Sequence, residues 1–316
     1  MNILVIGAAG FIGSRVTKRF AELGHEVRAM DSLNDVLYPA SVKKKRFRVV
    51  DEKRSVNCVV VDGVNVDWVT ELADVDVVIN LAAVPGLEPS WTHFHDYLNS
   101  NTYLVERIMQ GLSHHPHVRL IHASTSSVYG RFAVQDEDAK TEPASPYGLT
   151  KLAAENVINI FGSRSGVNTT ILRLYSVYGP EQRPDMAYSR FIKKLSHGKP
   201  VTVFGDGSQR RTNTYIDDVV EAFVRVADAP EIAGTFNIGG GESIALLDSI
   251  RLIAELLGVE PKVLFESARD GDQRETQCNF QKATEAFGWS PETDFRTGIA
   301  NQVDAFQRPD KSNVDF

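Results

Sequence analysis

Two short segments of the sequence carry side chains that could move a proton. In "HASTSSVYG", residues 122–130, four neighbouring hydroxyl residues follow an apolar run, and no carboxylate stands among them. In "SPYGLTK", Tyr147 and Lys151 are four residues apart, so a helix places both on one face. A free tyrosine ionises near pH ~10, but a neighbouring ammonium favours the phenolate and lowers that pKa. We therefore expect Tyr147 to act as a base with Lys151 beside it.

A glycine-rich turn lies near the start of the chain. "NILVIGAAGFIGSRV" places Gly7, Gly10 and Gly13 directly after an apolar run and at the beginning of a helical pattern. Glycines at such a turn let the backbone approach a pyrophosphate, which the positive end of the helix attracts. Asp31 follows at the end of the next apolar run, where an acid can bind an adenosine ribose and repel a 2′-phosphate. The pattern predicts a dinucleotide site that prefers NAD to NADP.

Alternating apolar runs and helical patterns must position these groups. Buried strands are predicted over residues 2–7, 25–31, 57–62, 76–81, 118–123 and 168–174. Helices are predicted over residues 11–23, 93–112 and 146–161, and Ser145 is the expected N-cap of the last one. This alternation predicts an α/β fold with a doubly wound parallel sheet of the Rossmann type, which binds ligands at the carboxyl ends of its strands.

The residue composition and the helical patterns of the sequence change after Leu174. Segments such as "VFGDGSQRRTN" and "NIGGGES" are rich in loop residues, and shorter helical patterns lie over residues 187–197, 217–227 and 246–257. We expect residues 1–174 to form an NAD-binding domain. Residues 175–316 are expected to form a smaller C-terminal α/β substrate domain, with chain crossings between the two.

Composition and charge set limits on the partners of the chain. Its 316 residues are 42% hydrophobic and carry a formal net charge of −7, which gives no general attraction to nucleic acid or to an anionic membrane. No stretch reaches the ~18 apolar residues of a membrane span, and we expect no secretory leader. Two distant cysteines, Cys58 and Cys278, match no metal or redox spacing and favour a reducing cytoplasm. We therefore expect no metal, no nucleic acid and no membrane partner.

Two further charged segments receive structural interpretations. "VKKKRFR", residues 42–48, follows Asp31 and is interpreted as a solvated basic loop. "SHHPHVR", residues 113–119, carries three histidines at a helix end, but a proline interrupts them and no ligand cluster accompanies them. Neither segment is expected to belong to a binding site.

The glycine turn and the Tyr-x-x-x-Lys spacing together resemble the extended short-chain dehydrogenases/reductases, whose turn has the form Gly-x-x-Gly-x-x-Gly. The resemblance implies that Asp62, expected at the end of the third strand, contacts adenine. It also implies that the segment after the fourth strand lies beside the cofactor. The expected cofactor-binding residues are Gly7, Gly10, Phe11, Ile12, Gly13, Asp31, Asp62, Leu81, Ala82, Ala83, Tyr147 and Lys151.

The hydroxyl segment distinguishes branches of that family. Members that dehydrate a nucleotide sugar resemble Thr-Asp-Glu-Val-Tyr-Gly here, and members that decarboxylate a uronic acid carry Glu just before Val-Tyr-Gly. In this chain Ser126 and Ser127 occupy those positions, and a serine hydroxyl hardly ionises at neutral pH. Thr125 is expected to end the preceding strand, where its hydroxyl can bond the reacting oxygen. Hydroxyls without carboxylates fit oxidation followed by re-reduction, which is epimerisation.

The second half resembles nucleotide-sugar epimerases, and most closely UDP-glucuronate 4-epimerases. "LRLYSVYGPEQRPDMAYSRF" and "AAVPGLEPSW" carry this resemblance, and "GPEQRPDMA" is its most specific piece. The resemblance implies that Arg183 holds the C6 carboxylate with its planar guanidinium, and that Asn101 is a polar group on the substrate side. It also implies that two arginines grip the diphosphate and that one acid binds the nucleotide ribose. The expected substrate-binding residues are Pro85, Ser126, Ser127, Ser176, Arg183, Arg211, Arg269 and Asp272.

The implied reaction is an NAD-dependent 4-epimerisation of UDP-glucuronate to UDP-galacturonate through a transient 4-keto sugar. Tyr147, as the phenolate, takes the 4-hydroxyl proton with help from Thr125 while hydride leaves carbon 4, and the hydride returns to the other face. The expected catalytic residues are Thr125, Tyr147 and Lys151. The resemblance also implies a homodimer formed by helix pairing.

Two departures from the relatives keep other interpretations open. Glu88 replaces an arginine often found there, and "RRTNTY" replaces the usual Arg-Asp-Phe-x-Tyr. Arg183 could also be a loop arginine paired with Glu181 or Asp185. The alternatives are a UDP-glucose/galactose-type 4-epimerase, a nucleotide-sugar 4,6-dehydratase and a non-catalytic NAD-binding scaffold.

Overall fold

A seven-stranded parallel sheet forms the centre of the fold. The computed structural model describes residues 1–269 and 271–308. The strands are β1 (Asn2–Ile6), β2 (Glu26–Asp31), β3 (Val56–Val60), β4 (Val77–Asn80), β5 (Arg119–Thr125), β6 (Phe132–Ala133), β7 (Thr169–Leu174), β8 (Val177–Tyr178), β9 (Val201–Phe204), β10 (Arg210–Thr212), β11 (Thr214–Tyr215), β12 (Gly234–Ile238), β13 (Ser243–Ala245), β14 (Val263–Glu266) and β15 (Glu275–Thr276). The central sheet has the order β12, β7, β5, β4, β1, β2, β3, and each neighbouring pair is parallel.

The order of the strands confirms the predicted doubly wound sheet. From β1 the chain builds outward to β2 and β3 on one side and to β4 and β5 on the other. Successive side chains along a strand point to opposite faces, so Val5 joins one buried apolar cluster while Leu4 joins another. The strands are rich in Val and Ile because helices cover both faces. A crevice therefore lies at the carboxyl ends of β1 and β4, which is the point where the strand order of the sheet reverses.

The helices connect these strands. They are α1 (Phe11–Glu22), α2 (Ala40–Asp51), α3 (Trp68–Glu71), α4 (Phe94–Leu98), α5 (Leu104–Leu112), α6 (Pro146–Ser165), α7 (Ala187–Ser196), α8 (Ile216–Asp228), α9 (Leu246–Leu257), α10 (Gln281–Phe287) and α11 (Phe295–Gln307). Helix α6 begins as predicted, since Ser145 Oγ accepts a hydrogen bond from the Gly148 amide at 3.1 Å. It ends at Gly166, whose φ of +75° is a left-handed conformation that favours glycine.

The single helix predicted over residues 93–112 is interrupted. A π-helical segment, Asn99–Tyr103, separates α4 from α5. Asn101 lies in this segment, and its buried side chain accepts a hydrogen bond from the Val84 amide at 2.8 Å and donates one to the Val84 carbonyl at 3.1 Å. The π-helical turn therefore holds the chain that follows β4 in place. Such π-helical distortions are frequent near functional sites.

The interpretation of residues 42–48 as a solvated loop is wrong. These residues lie within α2, and Lys43 and Arg46, three residues apart, are both buried. The error arose because a basic run suggests solvent exposure, whereas the three-residue spacing on a helix allows one side to face the protein.

Two elements cross between the halves of the chain. Strand β12, which was not predicted, lies in the second half but pairs with β7 at the edge of the central sheet. Strand β6, from the first half, joins a smaller sheet with the order β13, β10, β15, β6. Two short parallel pairs, β8 with β11 and β9 with β14, complete the second half.

The described part of the chain also limits other kinds of site. No helix within it has the length and apolar character needed to cross a membrane. Over residues 1–269 and 271–308, no group of His, Cys, Asp and Glu side chains could hold a metal ion. Cys58 and Cys278 are both free thiols.

Candidate functional site

The glycine-rich turn after β1 is packed too tightly for side chains. Gly7 has a φ of +84°, and a Cβ on it would lie 2.6 Å from the backbone nitrogen of Ala82. A Cβ on Gly13 would lie 2.0 Å from the Gly7 carbonyl oxygen. Helix α1 follows Gly10 without a side-chain cap, so the amides of its first turn, at Phe11, Ile12 and Gly13, face no capping side chain. The turn has the form predicted for a pyrophosphate cradle.

Asp31 ends β2 beside this turn, as predicted. Its Oδ2 accepts a hydrogen bond from the Ala9 amide at 3.0 Å, and its Oδ1 accepts one from the Leu33 amide at 2.7 Å. Asp62, in contrast, lies beyond the end of β3, where its Oδ1 accepts a hydrogen bond from the Val64 amide at 3.2 Å. This hydrogen bond gives Asp62 a structural role as an N-cap of the turn that follows β3. Its contact with adenine stays a prediction.

The segment after β4 lies against the glycine turn. Leu81, Ala82 and Ala83 follow the strand directly, and the Leu81 amide donates to the Ile6 carbonyl at 2.8 Å. Further along, the Pro85 carbonyl accepts a hydrogen bond from the hydroxyl of a buried tyrosine, Tyr97, at 2.8 Å. The structure therefore brings these predicted cofactor and substrate residues to the same edge of the sheet.

Two buried basic side chains at this edge were missed by the sequence analysis. Lys43 donates to Asn34 Oδ1 at 2.9 Å, and its charge interacts with Asp31. The Arg46 guanidinium lies 6.0 Å from the ring centroid of Phe11, and its Nη2 donates to the Glu181 carbonyl. Arg46 Nη1 is buried with no hydrogen-bond partner among the described residues, so it can serve an anion that binds there.

The hydroxyl segment lies where the sequence predicted it. Thr125 is the last residue of β5, and its Oγ1 accepts a hydrogen bond from the Ser127 amide at 3.1 Å. The Thr125 hydroxyl donates a hydrogen bond to Ser127 Oγ at 3.2 Å and lies close enough to Tyr147 to lower its pKa. Ser126 and Ser127 are both buried. The end of β5 therefore presents hydroxyl groups in contact with the first turn of α6.

Tyr147 lies in that first turn, within range of the charge of Arg183. Burial raises the pKa of Tyr147, while the Thr125 hydrogen bond and the Arg183 guanidinium lower it. The expectation that the Lys151 ammonium lowers this pKa is not met, because Lys151 Nζ lies against His122, with Nε2 at 3.1 Å. The groups that favour the phenolate in this structure are thus Thr125 and Arg183.

Lys151 is among the most deeply buried polar side chains of the described structure, with 2% of its surface exposed. Burial lowers its pKa to about 8, and the nearby Glu155 carboxylate acts in the opposite direction. His122, its hydrogen-bond partner, was also missed by the sequence analysis. Nothing in the local pattern of β5 marked this histidine, since its partners are 29 and 42 residues away.

Arg183 lies in the loop after β8, and only 12% of its side chain is exposed. Its Nε lies 3.0 Å from Asp185 Oδ1 and its Nη2 lies 2.6 Å from Asp185 Oδ2. The same guanidinium lowers the pKa of Tyr147. The structure therefore brings Arg183 into the site and also forms the pairing with Asp185 that was the alternative interpretation.

Three predicted nucleotide-binding residues also lie close to one another. Burial raises the pKa of Asp272, and the charges of Arg211 and Arg269 lower it. Arg269 is stacked on Phe204, with its guanidinium carbon 3.4 Å from the ring centroid. The charge of the exposed Glu88 adds to the rise in the Asp272 pKa.

The structure contradicts one further predicted substrate residue, Asn101, and leaves another, Ser176, as a prediction. Asn101 is fully buried and holds Val84 and Thr150, so its expected place on the substrate side is wrong. Its amide is used for structure because the π-helical segment turns it inward. Ser176 follows β7 at the carboxyl edge, where its carbonyl accepts a hydrogen bond from the Thr214 amide at 2.9 Å.

Comparison with known proteins shows to which family this chain belongs. Residues 3–239 match the NAD dependent epimerase/dehydratase family. The chain belongs to that family. This epimerase/dehydratase is 36% identical to a Bacillus subtilis protein described as an uncharacterized UDP-glucose epimerase, over 96% of this chain and 97% of that protein. It is 32% identical to UDP-glucuronate 4-epimerase from Thermodesulfobacterium geofontis, over 95% of this chain and 94% of the relative.

A solved structure of a relative has the same fold as this epimerase/dehydratase. UDP-glucuronic acid 4-epimerase from Bacillus cereus, in complex with UDP-glucuronic acid and NAD, aligns with a TM-score of 0.93. The two chains are 34% identical, and the alignment covers 97% of this chain and 99% of that chain.

A buried polar network supports the site of this epimerase/dehydratase from behind. Glu155 on α6 accepts a hydrogen bond from Ser124 and forms an ion pair with Arg173 on β7, whose Nη2 lies 2.7 Å from Glu155 Oε2. Arg173 also donates to the Tyr129 hydroxyl at 2.8 Å, and Tyr129 donates to Asn237 Oδ1 on β12 at 2.9 Å. The network therefore fixes α6, which carries the two predicted catalytic residues, against three strands of the central sheet.

Proposed function

We propose that this chain catalyses the NAD-dependent 4-epimerisation of UDP-glucuronate to UDP-galacturonate. One observation carries the choice of a uronate: the largely buried guanidinium of Arg183 lies close enough to Tyr147 to lower its pKa. A buried cation beside the group expected to take the 4-hydroxyl proton is suited to a sugar carboxylate. A neutral sugar carries no charged group with which the Arg183 guanidinium could pair.

The residues around the glycine turn would hold NAD, the cofactor of the family. The cradle at Gly7 and Gly13 has no room for a Cβ, which fits the close approach of a pyrophosphate. Asp31 would bind the adenosine ribose, and Arg46, with its unpartnered Nη1, would face the anionic part of the cofactor. Bound NAD supplies a hydride acceptor and donor next to the sugar.

Tyr147 and Thr125 would move the proton. As the phenolate, Tyr147 accepts the 4-hydroxyl proton when the carbon is oxidised and returns it when the carbon is reduced. The Thr125 hydroxyl lies beside Tyr147 and would turn from Ser127 to donate a hydrogen bond that favours the phenolate. Ser126 and Ser127 are buried hydroxyl residues that do not ionise at neutral pH, so the segment offers no acid for loss of water.

The second half of the chain would bind the nucleotide. We propose residues 1–174 as the cofactor domain and residues 175–316 as the substrate domain, joined by the crossings at β6 and β12. Arg211 and Arg269 would neutralise the diphosphate, and Asp272 would bind the ribose. The charge of Glu88 acts on Asp272 and also on Tyr97, on which Arg183 acts as well, so this carboxylate lies near both the proposed nucleotide site and the proposed sugar site.

A UDP-glucose/galactose-type 4-epimerase is the second candidate. The ion pair with Asp185 already satisfies Arg183, and a neutral sugar would leave that pair intact. The Bacillus subtilis relative described as a UDP-glucose epimerase also favours this candidate. A dehydratase needs acid groups where Ser126 and Ser127 stand, and a non-catalytic scaffold does not need Thr125 against Tyr147.

We further propose a homodimer in the cytoplasm, formed through α4, α6 and the π-helical segment. Large apolar side chains are exposed on these helices, at Leu98, Tyr103, Leu149 and Ile160. Leu149 and Ile160 are eleven residues apart, about three helical turns, so they share one face of α6. We expect Leu149→Glu combined with Ile160→Glu to give monomers in light scattering, and an unchanged mass would refute this interface.

Substrate conversion tests the proposed function. The purified protein is incubated with UDP-glucuronate or UDP-glucose, without added NADH, and the sugar nucleotides are separated by chromatography. We expect UDP-galacturonate to form, and the Tyr147→Phe variant to bind NAD but to form none. Conversion of UDP-glucose alone would support the second candidate, and a 4-keto-6-deoxy product would support the dehydratase.

A further inference from the structure

A buried tyrosine, Tyr38, lies among three cationic side chains at the edge of the site. It directly precedes Pro39, the N-cap of α2, and 7% of its surface is exposed. The guanidinium carbon of Arg183 lies over its ring, 5.8 Å from the ring centroid, and Lys43 Nζ lies 5.3 Å from the same centroid. Burial raises the pKa of Tyr38, while the charges of Arg46 and Arg183 lower it. The side chain is therefore a neutral phenol with cations around it.

The loop that carries Arg183 is held by helices from the first half of the chain. Glu181, two residues before Arg183, has a φ of +64°, a left-handed conformation that is costly for a residue other than glycine. The Glu181 carbonyl accepts a hydrogen bond from Arg46 on α2. The Pro180 carbonyl accepts one from Arg15 on α1 at 3.3 Å. These contacts fix the backbone of the loop but leave the direction of the Arg183 side chain to other groups.

Asp185 and Tyr38 hold the Arg183 side chain in different ways. Asp185 accepts hydrogen bonds from two of its nitrogens, Nε and Nη2. Tyr38 attracts the positive charge through the face of its ring, and this attraction does not commit a particular N–H donor. A sugar carboxylate that displaces Asp185 would therefore remove the hydrogen-bonded anchor of Arg183 and leave the ring contact in place.

We propose that Tyr38 is a positioning residue that holds the Arg183 guanidinium for a sugar carboxylate and thereby helps to select UDP-glucuronate. The ring contact persists when the guanidinium exchanges Asp185 for the sugar. An arginine that is already held in position loses less conformational freedom when the sugar binds, so the ring increases the affinity for a uronate. This role of Tyr38 rests on the proposed function, because it needs a carboxylate at Arg183.

Lys43 offers the ring a different role. Its Nζ also lies near Tyr38, and its charge interacts with Asp31, the residue proposed to bind the adenosine ribose. If the ring served Lys43 alone, its removal would change the binding of NAD and leave the preference for a sugar unaltered. Measuring NAD and sugar nucleotides with the same variants separates the two roles.

Equilibrium binding tests the proposal without turnover. Each variant is made in the Tyr147→Phe protein with NAD bound, and titration calorimetry gives the Kd of UDP-glucuronate, UDP-glucose and UDP. We expect Tyr38→Leu to raise the Kd of UDP-glucuronate roughly tenfold and to change the other two less than about twofold. Tyr38→Phe keeps the ring face and should stay within about twofold of tyrosine for all three ligands. Phe236→Leu removes a buried ring that lies 5.3 Å from Lys282 Nζ on β12, and this matched control should change none of them.

The possible results separate the role of Tyr38 from the proposed function. Suppose that the protein with Tyr38 binds UDP-glucuronate more tightly than UDP-glucose. Equal losses for UDP-glucuronate and UDP in Tyr38→Leu, or a change confined to NAD, would then overturn the role of Tyr38 alone. No preference for UDP-glucuronate would overturn both the role of Tyr38 and the choice of a uronate. The expected loss in Tyr38→Leu, found together with a wild-type protein that forms no UDP-galacturonate, would support the role of Tyr38 and refute the proposed reaction.

A double-mutant cycle connects the ring to Arg183. In an Arg183→Ala background the ring has no guanidinium to hold, so Tyr38→Leu should change the Kd of UDP-glucuronate less than about twofold. A loss as large as that measured with Arg183 present would show that Tyr38 acts through another group, and the proposal would fail.

Fluorinated rings test the contact with little change in packing. Phenylalanine with one, two or three ring fluorines is incorporated at position 38, which weakens the negative potential of the ring face while the ring keeps nearly the same size. The Kd of UDP-glucuronate should rise with each fluorine, and the Kd of UDP should stay constant. A Kd of UDP-glucuronate that does not depend on fluorination would contradict the proposal, and this test decides if Tyr38→Leu fails to fold.

Discussion

Arg183 and Asp185 meet in a two-point ion pair, with Nε 3.0 Å from Oδ1 and Nη2 2.6 Å from Oδ2. These two guanidinium donors form a fork that matches the geometry of a carboxylate. A uronate at Arg183 must therefore share or displace Asp185. The pair makes Asp185 an internal competitor of the sugar carboxylate that we propose to bind there.

Asp185→Asn should strengthen the binding of an anionic sugar. Since the side chain of Asp185 is 32% exposed, the pair is worth only about 1 kcal/mol, and KM for UDP-glucuronate should fall roughly five-fold. Initial rates measured against substrate concentration give this value. Asp248→Asn, which breaks an exposed pair with Arg251, is the matched control and should change nothing. A KM that rises in Asp185→Asn would mean that Asp185 supports the binding of the sugar.

Arg183→Ala should separate the two candidate substrates. Loss of a buried charge-assisted contact costs about 3 kcal/mol, so kcat/KM for UDP-glucuronate should fall on the order of 100-fold. Activity with UDP-glucose, if present, should change far less. Arg183→Lys keeps the positive charge but not the two-donor fork. Its kcat/KM for UDP-glucuronate should therefore lie between those of the wild type and of Arg183→Ala. Equal losses with both sugars would show that Arg183 serves Tyr147 or the loop rather than a carboxylate.

Thr125→Val should move the pH dependence of turnover. The Thr125 hydroxyl lowers the pKa of Tyr147, so its removal raises that pKa and reduces the phenolate fraction at a given pH. The ascending limb of kcat/KM against pH should therefore shift to higher pH. Thr125→Ser keeps the hydroxyl and should keep the limb in place. A downward shift would contradict the assigned hydrogen bond.

Glu155→Gln should destabilise the protein strongly. The side chains of Arg173 and Glu155 are 7% and 3% exposed, so the change leaves a buried guanidinium without its counter-charge. The free energy of unfolding in urea should fall by about 3–5 kcal/mol. The double variant Glu155→Leu with Arg173→Met removes both charges and should lose much less. A loss below about 1 kcal/mol in Glu155→Gln would mean that the network does not hold α6 in place.

The parts of the fold that depend on local chemistry could be predicted from the sequence. Ser145 capping α6 and Asp31 ending β2 both follow from residues within a few positions. The missed features depend on distant contacts instead. Arg46 bonds Glu181, 135 residues away, and β12 gains its place only by pairing with β7. A basic run carries no sign of such a partner, and neither does a histidine within a strand.

The effect of Lys151 on the pKa of Tyr147 could not be predicted from the sequence for the same reason. The four-residue spacing placed Tyr147 and Lys151 on one helical face, but the direction of Lys151 is set by His122 on β5. Spacing along a helix defines proximity, whereas the partner that a buried side chain chooses depends on the strands beneath it.

The most direct test of epimerisation is the fate of the hydrogen at carbon 4. We would incubate the protein with UDP-glucuronate carrying deuterium at that carbon and follow the sugar by proton NMR. Removal and return of one hydride within the site predicts UDP-galacturonate with the deuterium kept at the inverted carbon. Unchanged substrate, or a product whose deuterium has been lost to solvent, would contradict the account.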